Sequence, residues 1–227
     1  MSDNVKARIL KDGVIVAGHP RSGTSLACQL VESAGVEFPS DFDGDEYNRA
    51  GYFELEEAKK LSKKLIEQAM TVKNTIKMNK IVKKLNGSSG PGGLKVVRIP
   101  ALFFYRHISK RLRVVFVYRS PADVKASLFR RGISSFQPSW FENNNALIAA
   151  YENIDESIIV SFESLLQGED WLREVLAGID LDVNLDLVRE EERTQRKSSV
   201  VLRPEEEKMY SRLQKLESDC RQKYLEG

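Results

Sequence analysis

The stretch that decides the fold is Gly13-Val-Ile-Val-Ala-Gly-His-Pro-Arg-Ser-Gly-Thr-Ser25. Its first five residues form a β-branched run that is typical of a buried strand. A glycine-containing loop follows, and then apolar residues recur at helical spacing until Gly35, where the helix is expected to end. A loop between a strand and a helix points backbone N–H groups and the positive end of the helix at an anion. The stretch therefore predicts a strand–loop–helix unit that binds phosphate.

The loop keeps the spacing of a nucleotide-binding P-loop but lacks its lysine. Gly18 and Gly23 stand at the G-x-x-x-x-G spacing, and Thr24 occupies the position that the pattern gives to Lys. No Asp ends the later apolar run at residues 114–118, where a magnesium-holding carboxylate is expected in a nucleotide triphosphatase. Arg21 is the one fixed positive charge inside the loop. The loop thus indicates phosphate binding without triphosphate chemistry, and the simpler alternative is a turn that uses glycines only to reverse the chain.

Outside the loop, strand and helix patterns alternate along the chain. Apolar runs predict further buried strands at residues 94–99, 113–118 and 157–160, and helical periodicity predicts helices over 54–84, 122–131, 138–151 and 204–225. The acidic stretch before the second helix reads as an irregular loop. We therefore expect one domain over residues 1–227 with a P-loop-like, three-layer α/β/α fold and a central, mainly parallel sheet.

Two segments of the chain resemble the nucleotide motifs of sulfotransferases, the enzymes that use 3′-phosphoadenosine-5′-phosphosulfate (PAPS). Pro20-Arg-Ser-Gly-Thr-Ser25 is similar to their 5′-phosphosulfate loop, including a basic residue two places before the glycine. Val114-Val-Phe-Val-Tyr-Arg-Ser-Pro-Ala-Asp-Val-Lys-Ala-Ser127 resembles their 3′-phosphate motif, in which a strand ends in Arg and a helix carries Ser eight residues later. Arg119 and Ser127 fill those positions. Their chemistry agrees, because Arg offers bidentate donors to a phosphate.

The resemblance implies PAPS as cofactor, 3′,5′-ADP as product and no metal. It implies that the cofactor is bound by Arg21, Ser22, Gly23, Thr24, Ser25, Arg119 and Ser127. Arg21 is the expected first cation on the leaving phosphate. Leu94-Lys-Val-Val-Arg-Ile-Pro100 resembles the family's basic segment before a proline, which makes Arg98 the second cation and Lys95 its competitor. In a regular strand these two side chains lie on opposite faces, so only one should reach the site.

The base that accepts the proton is expected among the carboxylates of the acidic loop. The family often places a carboxylate about twenty residues after the loop cation, which favours Asp41 or Asp43. Asp45-Glu-Tyr-Asn-Arg-Ala-Gly-Tyr-Phe-Glu54 also resembles an N-P-x-G-Y-x-E segment, with Arg49 in place of the proline, and this favours Glu54. We prefer Glu54 over Asp41, Asp43 and Asp45. For any single one of them, a solvated loop residue or a helix N-terminal charge is the ordinary alternative.

Composition excludes several other classes. The 227 residues carry 35 basic and 33 acidic side chains, so their net charge of +2 gives no field for a nucleic acid. No apolar run is long enough to cross a bilayer, no signal peptide is evident, and Cys28 and Cys220 cannot form a disulfide framework. We therefore expect a cytoplasmic protein with neither nucleic acid nor membrane as partner. His19 and His107 match no catalytic placement, and no Cys/His cluster suggests a metal.

The charge is unevenly distributed along the chain. Nine lysines stand against Glu67 alone between Lys59 and Lys84. They either cover the polar face of an amphipathic helix or attract an anionic acceptor such as a sulfated or phosphorylated glycan. Basic residues near the C-terminus, Arg193, Arg196 and Lys197, are further candidates for nucleotide contact. The function expected is transfer of a sulfuryl group to a hydroxyl or amine of a small-molecule or glycan acceptor. A nucleotide kinase or NTPase, and a non-catalytic module that binds 3′,5′-ADP, are the alternatives.

Overall fold

A computed structural model describes residues 6–44, 51–68, 70–87, 90–134, 136, 139–187 and 200–225. Strands and helices alternate along the chain, as the sequence predicts. The strands are β1 (Leu10–Gly18), β2 (Gly92–Val96), β3 (Ser109–Tyr118) and β4 (Ser157–Ser161). The helices are α1 (Thr24–Glu32), α2 (Glu56–Glu67), α3 (Val72–Leu85), α4 (Leu102–Tyr105), α5 (Pro121–Phe129), α6 (Ser139–Tyr151), α7 (Phe162–Gln167), α8 (Asp170–Ala177) and α9 (Pro204–Leu225).

The four strands form one parallel sheet in the order β2-β1-β3-β4. β1 is central, with Val16 paired to Lys95 of β2 and Gly18 paired to Val117 of β3. The central strands are β-branched because both sheet faces are covered, and their inner residues are buried. Helices flank the sheet, which confirms the predicted three-layer α/β fold with a mainly parallel sheet.

The helix predicted over residues 54–84 is instead two helices, and this part of the prediction is wrong. The chain becomes extended at Gln68 and Thr71, and the Thr71 hydroxyl accepts a hydrogen bond from the Asn74 backbone N–H at 3.2 Å to begin α3. Val72 and Ile76, which continue the apolar spacing of α2 in the sequence, are 60% and 44% exposed. The buried face of α3 consists instead of residues such as Met78, Ile81, Val82 and Leu85.

The second strand ends earlier than the sequence indicates. β2 stops at Val96, and the chain then bends through Val97 and Arg98 into a 3₁₀ turn at Ile99–Ala101. Pro100 lies in that turn, where its missing N–H and fixed φ do not interfere. Lys95 and Arg98 therefore do not alternate along one strand, because only Lys95 belongs to β2.

Among the described residues, none of the helices combines the length and the apolar character that crossing a bilayer requires.

Candidate functional site: an anion-binding edge of the sheet

The loop after β1 is shaped by two glycines that have no room for a side chain. A Cβ at Gly18 would lie 2.4 Å from the Val117 carbonyl oxygen and 2.7 Å from Thr24 Cγ2. Gly23 has φ +90°, and a Cβ there would lie 2.2 Å from the Phe162 ring. Glycine accepts both the positive φ and the close approach. The loop is thereby pressed against the carboxyl ends of its neighbouring strands.

Three side chains of the two sequence motifs meet at this edge. Arg21, which has φ 72°, donates from Nε to the Ser127 Oγ at 3.0 Å. Arg119 follows β3 directly and donates from Nη1 to the Arg21 carbonyl oxygen at 3.4 Å. The Ser120-Pro121 pair then begins α5, with Pro at its first position, and α5 carries Ser127 into place. The structure therefore brings together Arg21, Arg119 and Ser127, although 106 residues separate the first from the last.

The Arg119 guanidinium packs on the ring of Phe162, a residue that no sequence motif indicated. Phe162 follows β4 directly and begins α7, whose Ser161 cap accepts a hydrogen bond from the Ser164 N–H at 3.0 Å. Arg119 Cζ lies 4.1 Å from the centre of the Phe162 ring. Burial lowers the pKa of Arg119, and the face of the Phe162 ring stabilises the guanidinium charge through a cation–π contact. An aromatic residue directly after the last strand was the available sequence signal.

Hydroxyl groups line the inner side of the loop. Ser22 and Thr24 are buried, and Ser25 lies on the first turn of α1. Lys95 Nζ, near the end of β2, donates to Ser25 Oγ at 2.9 Å and to the Tyr52 carbonyl oxygen at 2.6 Å. Lys95 thus faces the loop after β1 from the neighbouring strand.

Lys95 also forms an ion pair with the carboxylate that the sequence favours as base. Its Nζ lies 3.4 Å from Glu54 Oε1, and the two side chains are 3% and 15% exposed. The second Glu54 oxygen lies 3.4 Å from Lys59 Nζ. Burial lowers the pKa of Lys95, and the Glu54 carboxylate opposes that shift. A small cleft between α2 and the end of β2 is lined by this pair together with Ala58, Ser62 and Arg98.

The other basic and acidic candidates occupy different positions. Arg98 lines the same cleft but is exposed. Asp41 Oδ2 accepts the Glu56 backbone N–H at 2.9 Å and so caps α2, and that hydrogen bond lowers the Asp41 pKa. Asp43 is exposed. Asp45 lies outside the described residues, as do the three basic candidates near the C-terminus, Arg193, Arg196 and Lys197.

His19 shapes the loop from inside. It is 3% exposed, its Nδ1 lies 2.7 Å from the Pro20 carbonyl oxygen, and burial lowers its pKa to about 4. The ring is therefore neutral near pH 7 with Nδ1 as donor. His107 accepts a hydrogen bond at Nε2 from Arg106 on the surface. Within the described parts of the chain, no group of three or more His, Cys, Asp or Glu side chains could hold a metal ion.

Known structures share this arrangement of strands and helices. The sulfotransferase domain of the Synechococcus PCC 7002 olefin synthase is 17% identical, with a TM-score of 0.52 over 93% of this chain and 96% of that one. The sulfotransferase domain of the curacin biosynthetic pathway is 12% identical, with a TM-score of 0.55 over 91% and 98% of the two chains. No protein-family model and no curated protein matches the sequence. The chain has a sulfotransferase-family fold, as its two anion motifs predict.

Proposed function

We propose that the chain is a PAPS-dependent sulfotransferase that modifies a hydroxyl or amine of its acceptor and releases 3′,5′-ADP. The observation that carries this proposal is the meeting of two separate anion motifs at one sheet edge, where Arg21 bonds Ser127 and Arg119 bonds the Arg21 carbonyl. A ligand with a phosphate at each end of a nucleoside matches two such motifs. A triphosphate fits less well, because Thr24 replaces the P-loop lysine.

The residues fit a phosphate at each of two places. Backbone N–H groups around Gly23, with the Ser22, Thr24 and Ser25 hydroxyls, surround the N-terminus of α1, where a 5′-phosphate would be held. Arg119, directly after β3, and Ser127, on the second turn of α5, would hold the 3′-phosphate.

The chain's chemical task is to neutralise the leaving phosphate and to remove the acceptor proton. PAPS supplies the activated sulfuryl group. The acceptor oxygen or nitrogen forms the new bond to sulfur while the bond from sulfur to the phosphate oxygen breaks, and the acceptor proton passes to Glu54. Lys95 and Arg21 stabilise the charge that grows on the phosphate oxygen. Lys95 is preferred to Arg98 as the second cation because its Nζ lies 2.9 Å from Ser25 Oγ in the loop.

Binding of three nucleotides tests the cofactor assignment. Isothermal titration of the purified chain should give tight binding of 3′,5′-ADP and at least tenfold weaker binding of 5′-ADP, because only the first can contact Arg119. Mg-ATP should bind no better than 5′-ADP. Tight magnesium-dependent ATP binding would instead favour a kinase or NTPase.

Transfer of radiolabelled sulfate from PAPS to a panel of hydroxyl and amine acceptors tests the chemistry. Glu54→Gln should lower kcat by about 10²–10⁴-fold while 3′,5′-ADP binding stays intact, and Asp43→Asn is the matched control in the same loop. Lys95→Met should be far more damaging than Arg98→Met. Tight 3′,5′-ADP binding with no transfer to any acceptor would favour a non-catalytic binding module.

A further inference from the structure

Helices α2 and α3 pack against each other as an antiparallel hairpin. Only residues 68–71 connect them. At the open end, Lys84 Nζ lies 3.9 Å from Glu57 Oε2. Near the connection, the Lys64 side chain is close enough to Lys77 to lower the pKa of Lys77. The end that contains the connection is named the hairpin tip, and its described residues are 66–68 and 70–76.

The hairpin tip exposes apolar side chains that have no partner in the core. Ile66, Met70, Val72 and Ile76 are 46%, 42%, 60% and 44% exposed. They are four of the twelve large apolar side chains that are exposed among the described residues, and they fall within eleven consecutive positions. Single exposed apolar residues are normal on any surface, whereas a group of them marks a contact surface.

Lysines surround these apolar side chains. Lys73, Lys77 and Lys80 lie on the same face of α3 as Ile76, at the spacing i, i+3, i+4 and i+7. Lys63 and Lys64 lie on the last turns of α2, and Glu67 is the only acid between Lys59 and Lys84.

Positive charges at the tip are held close to one another. The neighbouring Lys64 side chain, together with repulsion from Lys73 and Lys80, lowers the pKa of Lys77. Like charges in such an arrangement repel one another, and each of them would be attracted to a dense anionic surface.

We propose that the hairpin tip binds the surface of a membrane that contains anionic lipid. Lysines around a small apolar group are the combination that interfacial segments use, with the apolar side chains entering the headgroup region and the ammonium groups contacting lipid phosphates. A sulfated glycan or an acidic protein would engage the lysines, but it would not account for four exposed aliphatic and thioether side chains among them. The lack of a spanning segment, which led us to expect no membrane partner, does not bear on peripheral binding.

Co-sedimentation of the full chain with vesicles tests the proposal, and it needs neither PAPS nor an acceptor. The chain should pellet with phosphatidylcholine vesicles that contain about 30% phosphatidylserine and should stay in solution with phosphatidylcholine alone. Added salt should weaken the binding, because the lysine contribution is screened. Equal binding to both vesicle types, or binding to neither, would overturn the proposal.

Two sets of variants identify the surface that binds. Lys73→Gln with Lys77→Gln should weaken partitioning about 30-fold, which is about 5-fold for each lysine, whereas Lys110→Gln on another exposed surface should have little effect. Met70→Ser with Ile76→Ser should weaken it further, and Phe103→Ser is the matched control, since Phe103 is 59% exposed elsewhere. Thermal midpoints of all variants establish that they are folded. Loss with the lysine variants but none with the apolar variants would overturn membrane docking and favour a soluble polyanion.

Discussion

Replacing Phe162 with leucine should weaken binding of 3′,5′-ADP much more than binding of 5′-ADP. The ring lies between the loop after β1 and Arg119: one edge occupies the space beside Gly23, and its centre is 4.1 Å from Arg119 Cζ. Leucine fills much of the volume but offers no π-face to the guanidinium. The Arg119 side chain should then adopt several orientations in the free protein. Binding of 3′,5′-ADP must restrict it to one of them, which weakens the affinity.

The size of the effect follows from the contact that is lost. A cation–π contact is worth about 0.5–2 kcal/mol, the upper part applying to desolvated pairs, and Phe162 is only 6% exposed. The dissociation constant of 3′,5′-ADP should therefore rise about 2- to 30-fold. The smaller side chain should also lower the free energy of unfolding by about 1–2 kcal/mol, which leaves the protein folded.

Isothermal titration of both nucleotides into wild type, Phe162→Leu and Phe162→Tyr measures the effect. The dissociation constant of 5′-ADP divided by that of 3′,5′-ADP measures the preference for the 3′-phosphate. This ratio should fall in the leucine variant and recover in the tyrosine variant, which keeps the ring. If both nucleotides lose affinity by the same factor, the ring contacts the shared part of the nucleotide and does not position Arg119. An unchanged ratio with unchanged affinities would equally refute the reasoning.

Three further changes have expected outcomes. Gly23→Ala should lower the melting temperature by about 5–15 °C, since it adds both a positive-φ strain and an overlap with Phe162. Gly35→Ala, at φ +80° in open space, is the control and should lower the melting temperature clearly less. Equal losses in calorimetry would contradict the overlap. His19 has a folded-state pKa of about 4, below its unfolded value, so the free energy of unfolding should fall by about 3 kcal/mol as pH drops from 6.5 to 4; denaturant titrations of His19→Gln should lack this component, and an identical pH dependence in the variant would be inconsistent with a buried neutral ring. Burial raises the pKa of both Cys28 and Cys220, so mass spectrometry after iodoacetamide treatment should find neither alkylated in the native protein at pH 8 and both alkylated after unfolding; rapid native alkylation of Cys28 would place it outside the core.

The sheet and the anion loop could be predicted from the sequence because their signals are local. A β-branched run, two glycines at a fixed spacing and a hydroxyl-rich helix start lie within thirteen residues, so each can be recognised without knowledge of its distant partners. The boundary of α2 was harder to predict. Apolar spacing continues through Val72 and Ile76, and the break at Gln68 contains neither Gly nor Pro, so only the packing of α3 on other residues reveals it.

Long-range pairs could not be predicted from the sequence. The choice between Lys95 and Arg98 depends on where β2 ends, and the 3.4 Å approach of Glu54 to Lys95 joins two residues that lie 41 positions apart in the chain. The role of Phe162 requires β4 to lie beside β3, which a run of apolar residues does not specify.

The parallel order of the sheet explains why these pairs converge. The loop with Arg21 and Gly23 follows β1, Arg119 follows β3 and Phe162 follows β4. Lys95 lies one residue before the end of β2. Because carboxyl ends of neighbouring parallel strands meet at one edge, each strand delivers one part of the site. Helix α9 fixes two of these ends together: Glu217 accepts hydrogen bonds from the Tyr118 hydroxyl and, at 2.8 Å, from the Ser161 N–H. Since those two donors directly precede Arg119 and Phe162 and are paired in the sheet, one carboxylate sets the spacing between the guanidinium and the ring beneath it.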